Sequence, residues 1–135
     1  AICFIKNIGL RRGAMASSVA HDSHNVIAVG VRDQDIAAAI NRVMEAGGGL
    51  SAVCRAEGTQ HVLPLPIAGL MATGTCREVG QAYQQLDAAV KRWGSQLRAP
   101  YMTLSFMALL VIPELKLSDR GRFDGGKFEF TPLVK

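Results

Sequence analysis

The strongest periodic signal in the chain is an apolar stripe in its second half. The stripe steps by 4, 3, 4, 3 and 4 positions through Val79, Tyr83, Leu86, Val90, Trp93 and Leu97. This spacing predicts a long amphipathic helix, because residues three or four apart share one helix face. We expect the helix to start after Thr75, since Thr75 and Glu78 have the spacing of a capping box. The stripe is interpreted as core packing or an interface seam.

Short apolar runs bounded by turn residues predict strands through the first half of the chain. They cover residues 2–8, 15–20, 26–31, 50–54 and 61–65. A first helix is expected among them, with Asp33 as its N-cap and the glycines 47–49 at its end. Its apolar face would carry Ile36, Ile40, Val43 and Met44.

This order of strands and helices predicts an α+β fold. We expect a single domain over residues 1–135, with a mostly antiparallel sheet and two or three helices packed on one face. Residues 64–74 are predicted to form a loop, and residues 103–112 either a short buried helix or a strand. The tail from Pro113 is predicted to be loop-like, anchored by its three phenylalanines, Phe123, Phe128 and Phe130.

Composition narrows the class of protein. Hydrophobic residues make up 49% of the chain and charged residues 19%, which indicates a globular protein with apolar surface facing another domain or subunit. The net charge of +4 comes from scattered residues and is interpreted as ordinary solubility, with nucleic-acid binding a minor alternative. We expect no membrane partner, because the longest apolar run, residues 102–113, is too short to span a bilayer.

The cysteines indicate the cellular compartment of the protein, and the start of the chain indicates that it is part of a longer protein. Three cysteines without a Cys-x-x-Cys pair argue against a disulfide framework and favour the reducing cytoplasm. The chain opens without an initiator Met on the strand-like residues 2–5, so we expect a fragment of a longer protein.

One polar stretch stands out between two apolar strands. His21, Asp22, Ser23, His24 and Asn25 would form the tip of a hairpin. Histidine exchanges protons near neutral pH, and a neighbouring carboxylate can orient it. Three interpretations stay open from the residues alone: a turn that bonds its own backbone, a ligand or active-site contact, and a metal site, for which one short loop supplies few ligands.

Other motifs favour structural roles. The glycines 47–49 follow a helix, whereas a phosphate loop precedes one. The hydroxyls of Thr103 and Ser105 lack a nucleophile elbow and are expected to bond the backbone. His61 is isolated and is expected to be structural or exposed.

Four segments of the chain carry a family pattern, in the order RGAMASSVAHDSHNVIAVG, NRVMEAGGGL, LPLPIAGLM and PYMTLSFMALLVIPELKLSDRGRFD. Together they resemble the C-terminal domain of bacterial adenine deaminases of the amidohydrolase superfamily, and the match runs from about Phe4 to Phe130. The resemblance implies a hydrolase of purine metabolism and adenine catabolism that converts adenine and water to hypoxanthine and ammonia. It also implies a separate N-terminal barrel with two divalent metals, iron or manganese, and this chain carries none of the barrel's metal-binding motifs.

The resemblance suggests a place for the polar tip. We expect it to reach the metal site of the absent barrel, with His21 and His24 transferring protons, Asp22 orienting one of them, and Ser23 or Asn25 meeting the purine edge. The expected partners are adenine, the N-terminal barrel and further copies in a homo-oligomer. The fragment is expected to bind no metal and to be inactive alone. The alternatives are a packing or oligomerisation domain and a free-standing purine-binding module.

Overall fold

A computed structural model describes residues 1–133 and shows a four-stranded antiparallel sheet at the centre of the fold. Its strands are β1 (Ala14–Ser17), β2 (Ile27–Gly30), β3 (Gly49–Cys54) and β4 (Thr59–Pro64). They lie in the order β2-β1-β3-β4, which confirms the predicted α+β class and the hairpin between the first two strands.

Within residues 1–133 three α-helices accompany the sheet: α1 (Asp33–Glu45), α2 (Cys76–Arg92) and α3 (Pro100–Phe106). The capping box of α2 is confirmed, because the Thr75 hydroxyl accepts from the Glu78 amide while the Glu78 carboxylate accepts from the Thr75 amide. The first helix begins one residue earlier than predicted, with Arg32 as its N-cap. The glycines after α1 end it as expected, since the Gly48 amide donates to the Val43 carbonyl. No helix within residues 1–133 has the length and hydropathy needed to cross a membrane.

The helices lie on both faces of the sheet, so their predicted placement on one face is wrong. Alternate side chains of a strand point to opposite faces, and both faces of β1 are apolar. Ala14 and Ala16 pack with Ala39 and Val43 of α1. Met15 instead packs in a cluster with the apolar faces of α2 and α3. Helices cover both faces of the sheet. The two central strands, β1 and β3, are therefore buried along their whole length.

The segment 2–8 forms no strand, contrary to prediction. Asn7 adopts a left-handed backbone with φ of 66°, which interrupts extended structure. The Ile2 and Phe4 side chains are 83% and 95% exposed. The chain then passes the end of α2, where the Arg11 amide donates to the Trp93 carbonyl. An apolar sequence is not enough for a strand when no neighbouring strand pairs with it.

The tail contains structure that the sequence did not predict. Strands β5 (Leu115–Ser118), β6 (Gly121–Asp124) and β7 (Glu129–Phe130) form a second antiparallel sheet in the order β5-β6-β7. Within this sheet the Phe123 ring meets the rings of Phe128 and Phe130 edge to face. Phe128 and Phe130 stay 73% and 50% exposed, so the predicted anchoring role is wrong for these two. The loop at 64–74 is confirmed, with one bridge between Ile67 and Met71.

Candidate functional site

The hairpin loop between β1 and β2 carries all five predicted site residues, and its start is held by a buried serine. The Ser18 hydroxyl donates to the Gly69 carbonyl at 2.6 Å and accepts from the Gly49 amide at 2.7 Å. Gly69 lies 51 positions away, in the loop that follows β4. The hairpin is thereby fixed against two other loops before the polar tip begins.

The His21 imidazole lies against the end of α3. Its ring centroid is 5.1 Å from that of Phe106, and the two planes are tilted by 33°. The His21 amide also donates to the Ser105 carbonyl at 3.1 Å. His21 is half-buried as a result, whereas Phe106 keeps 37% of its surface exposed.

His24 extends this contact toward solvent. Its ring meets the His21 ring nearly edge-on, with centroids 5.6 Å apart and planes at 67°. The His24 amide donates to the Ala20 carbonyl at 2.6 Å and closes a turn, with His24 in the left-handed region at φ of 50°. The structure thus brings the two predicted proton-transfer residues together.

The other three residues of the tip face outward. Asp22 and Ser23 are exposed, and Asn25 is half-buried. Within residues 1–133 no hydrogen bond joins the Asp22 carboxylate to either imidazole. The orienting role of Asp22 therefore stays a prediction, and the ring contacts of His21 in this structure are with Phe106 and His24.

Metal binding by the tip has no geometric support in the part of the chain that is described. No group of three or more His, Cys, Asp or Glu side chains lies close enough to hold an ion there. His61, the third histidine, is half-buried on β4, which is the edge strand opposite β2. It is thus separated from the tip by the width of the sheet.

Polar groups elsewhere serve the fold. The buried Tyr101 hydroxyl donates to the Ser51 carbonyl at 2.8 Å, and burial raises the pKa of Tyr101 well above its ordinary value. The Trp93 indole donates to Glu57 at 2.8 Å, and Arg12 pairs with the same carboxylate at 3.0 Å. These contacts hold α3 to the sheet and the first segment to the end of α2.

Comparison with known proteins provides independent evidence on the family of this chain. The family model described as "Adenine deaminase C-terminal domain" matches residues 1–129. Curated relatives named adenine deaminase come from Salinibacter ruber (59% identical), Sulfurovum sp. (55%) and Methanosarcina barkeri (54%). The matches cover 96–98% of this chain but only 24% of each relative, so the chain spans about a quarter of their length. The chain therefore belongs to the adenine deaminase C-terminal domain family.

Proposed function

We propose that this chain is the accessory domain of an adenine deaminase, an enzyme that converts adenine and water to hypoxanthine and ammonia. The proposal is supported by the family match over residues 1–129 and by relatives named adenine deaminase. The remaining three quarters of those relatives would supply the rest of the active site. Adenine, that N-terminal portion and further copies of the enzyme are the proposed partners, and the cytoplasm is the proposed location.

The polar tip is the part of this domain that we assign to the active site. Its support is that His21 and His24 are held side by side on an anchored hairpin, with the polar side chains of Asp22 and Ser23 free toward solvent. Two adjacent imidazoles can accept and return protons at neutral pH. Ser23 and Asn25 have the donors and acceptors needed to meet the edge of a purine.

The metals of the reaction belong to the proposed N-terminal domain rather than to this chain. Two divalent ions, manganese or iron, would supply the activated water there. The residues of this chain would then act on the purine and on the proton that the departing amine requires. The isolated chain is accordingly proposed to be inactive.

Substitution of the histidines in a complete adenine deaminase carrying this domain tests the role of the tip. We expect His21→Ala and His24→Ala each to lower kcat/KM by about 100-fold or more, because general acid–base groups contribute that much. His61→Ala is the matched control, since it removes the same side chain from the far edge of the sheet. Wild-type kinetics in both tip variants would contradict the catalytic role, and lowered thermal midpoints beside them would show that the loop is structural.

A packing or oligomerisation role without catalytic groups is the second candidate. It is favoured by large apolar side chains that stay exposed, among them Ile2, Phe4, Val111 and Phe128. Sedimentation of the isolated chain tests it, because self-association would bury these side chains. A free-standing purine-binding module would instead require that adenine raise the thermal midpoint of the isolated chain.

A further inference from the structure

We propose that Phe106 is a positioning residue, which fixes the His21 imidazole and, through it, that of His24. This inference rests on the proposed function of the tip. It adds a residue from α3 that lies far from the tip in sequence and carries no proton-transferring group of its own.

The first step is that α3 is a rigid support. Pro100 occupies its first turn, and the Leu104 side chain is buried in the main core. The buried Tyr101 hydroxyl ties the helix to β3 through the Ser51 carbonyl. Since Phe106 is the last residue of this short helix, its backbone is fixed relative to the sheet that carries the hairpin.

The second step is a row of three rings at the end of α3. Phe106 contacts His21 at 5.1 Å and His21 contacts His24 at 5.6 Å, both within the range of aromatic pairs. The tilted and edge-on orientations are those that aromatic rings favour over face-to-face stacking. The row therefore selects one orientation of each imidazole.

The third step is that no hydrogen bond restrains the His21 ring. Its backbone is held by the hydrogen bond to Ser105, but within residues 1–133 its imidazole has no side-chain hydrogen-bond partner. Of its two ring contacts, the one with Phe106 comes from outside the tip, so we assign the side-chain rotamer of His21 to it. A proton-transferring group loses effectiveness when its orientation varies, because rate depends on alignment with the reacting atoms.

Three variants test the proposal. Phe106→Leu removes the ring, Phe106→Tyr restores it, and Met102→Leu alters the same exposed side of α3 one turn earlier as a control. In the complete enzyme we expect Phe106→Leu to lower kcat by about tenfold or more, with a smaller change in KM. Phe106→Tyr should recover most of kcat, and Met102→Leu should leave it unchanged.

Nuclear magnetic resonance of this chain provides the direct readout. Phe106→Leu should replace the single χ1 rotamer of His21 by a mixture, seen as averaged three-bond Hα–Hβ couplings, while the thermal midpoint stays close to that of the wild type. Unchanged couplings would overturn the proposal. If His21→Ala is impaired while Phe106→Leu keeps wild-type kcat, the positioning role alone is wrong. Full activity of His21→Ala would instead overturn the proposed function, and the positioning role with it.

Discussion

At the scale of single residues, the Ser18 hydroxyl joins three segments that are separate in sequence. It contacts backbone groups of Gly49, where β3 begins, and of Gly69, in the loop after β4. Ser18 itself is 7% exposed. Buried polar groups are costly when they lose their partners, so this one side chain stabilises the base of the whole tip.

Removal of this hydroxyl gives a prediction about stability. Ser18→Ala should lower the free energy of unfolding by about 1–3 kcal/mol, because the buried Gly49 amide loses its side-chain acceptor. Urea unfolding followed by Trp93 fluorescence measures it, since Trp93 is the single tryptophan. Ser23→Ala, at the exposed tip, should change the free energy of unfolding by less than about 0.5 kcal/mol. Equal effects of the two substitutions would contradict this role of Ser18.

The candidate site shows how far sequence reasoning reaches at this scale. The proximity of His21 and His24 is predictable because they lie within five neighbouring positions, and a hairpin brings such neighbours together. The contacts of His21 with Ser105 and Phe106 are not predictable, because they join residues far apart in sequence and leave no local pattern. The role of Ser18 is not predictable either, since a serine beside a turn is common and its partners are backbone groups.

At the scale of elements, the start of α2 depends on a charge. The Thr75 amide and hydroxyl both donate to the Glu78 carboxylate at 2.8 Å. The backbone hydrogen bond first, and the hydroxyl second, lower the pKa of Glu78 below its ordinary value of 4.5. A carboxylate with a lowered pKa stabilises the folded state above its ordinary pKa. That contribution is lost as the pH falls through the lower, folded-state pKa.

The lowered pKa of Glu78 predicts that the effect of Glu78→Gln on stability depends on pH. Glutamine keeps the acceptor of the capping box but removes the charge, so it resembles the protonated acid. The variant should be less stable than the wild type at neutral pH. The two should become equal at a pH low enough to protonate Glu78 in the folded state as well, which lies below its ordinary pKa of 4.5. Thermal midpoints at both pH values measure this, and a difference independent of pH would show that the charge has no role.

The helices also show why some elements are predictable from sequence. The cap and the apolar stripe of α2 are local, since both follow from residues within a few positions of one another. Its stripe packs into the main core as expected, with Leu86, Val90 and Trp93 buried. The second sheet escaped prediction because β5, β6 and β7 are short and depend on pairing with one another.

At the scale of the whole molecule, the second sheet has a small core of its own. Phe123 is 6% exposed, and its ring lies 5.3 Å from those of Phe128 and Phe130. The two main clusters, which cover the faces of the four-stranded sheet, do not include it. A backbone hydrogen bond from Leu117 to Met107 connects the second sheet to the segment after α3, while the one from Gly125 to Glu114 extends the pairing of β5 with β6.

This separation predicts two levels of stability in one chain. Local regions with few shared apolar contacts open at lower free energy than the main core, so amides in residues 115–130 should exchange faster than those in residues 49–64. Phe123→Ala should accelerate exchange in residues 115–130 by at least about tenfold, because it removes the largest buried group of that sheet. Exchange in residues 49–64 should stay unchanged. Hydrogen-exchange mass spectrometry measures both, with the more exposed Phe128→Ala as the milder control. Equal acceleration in the two regions would instead show that both sheets unfold as a single cooperative unit.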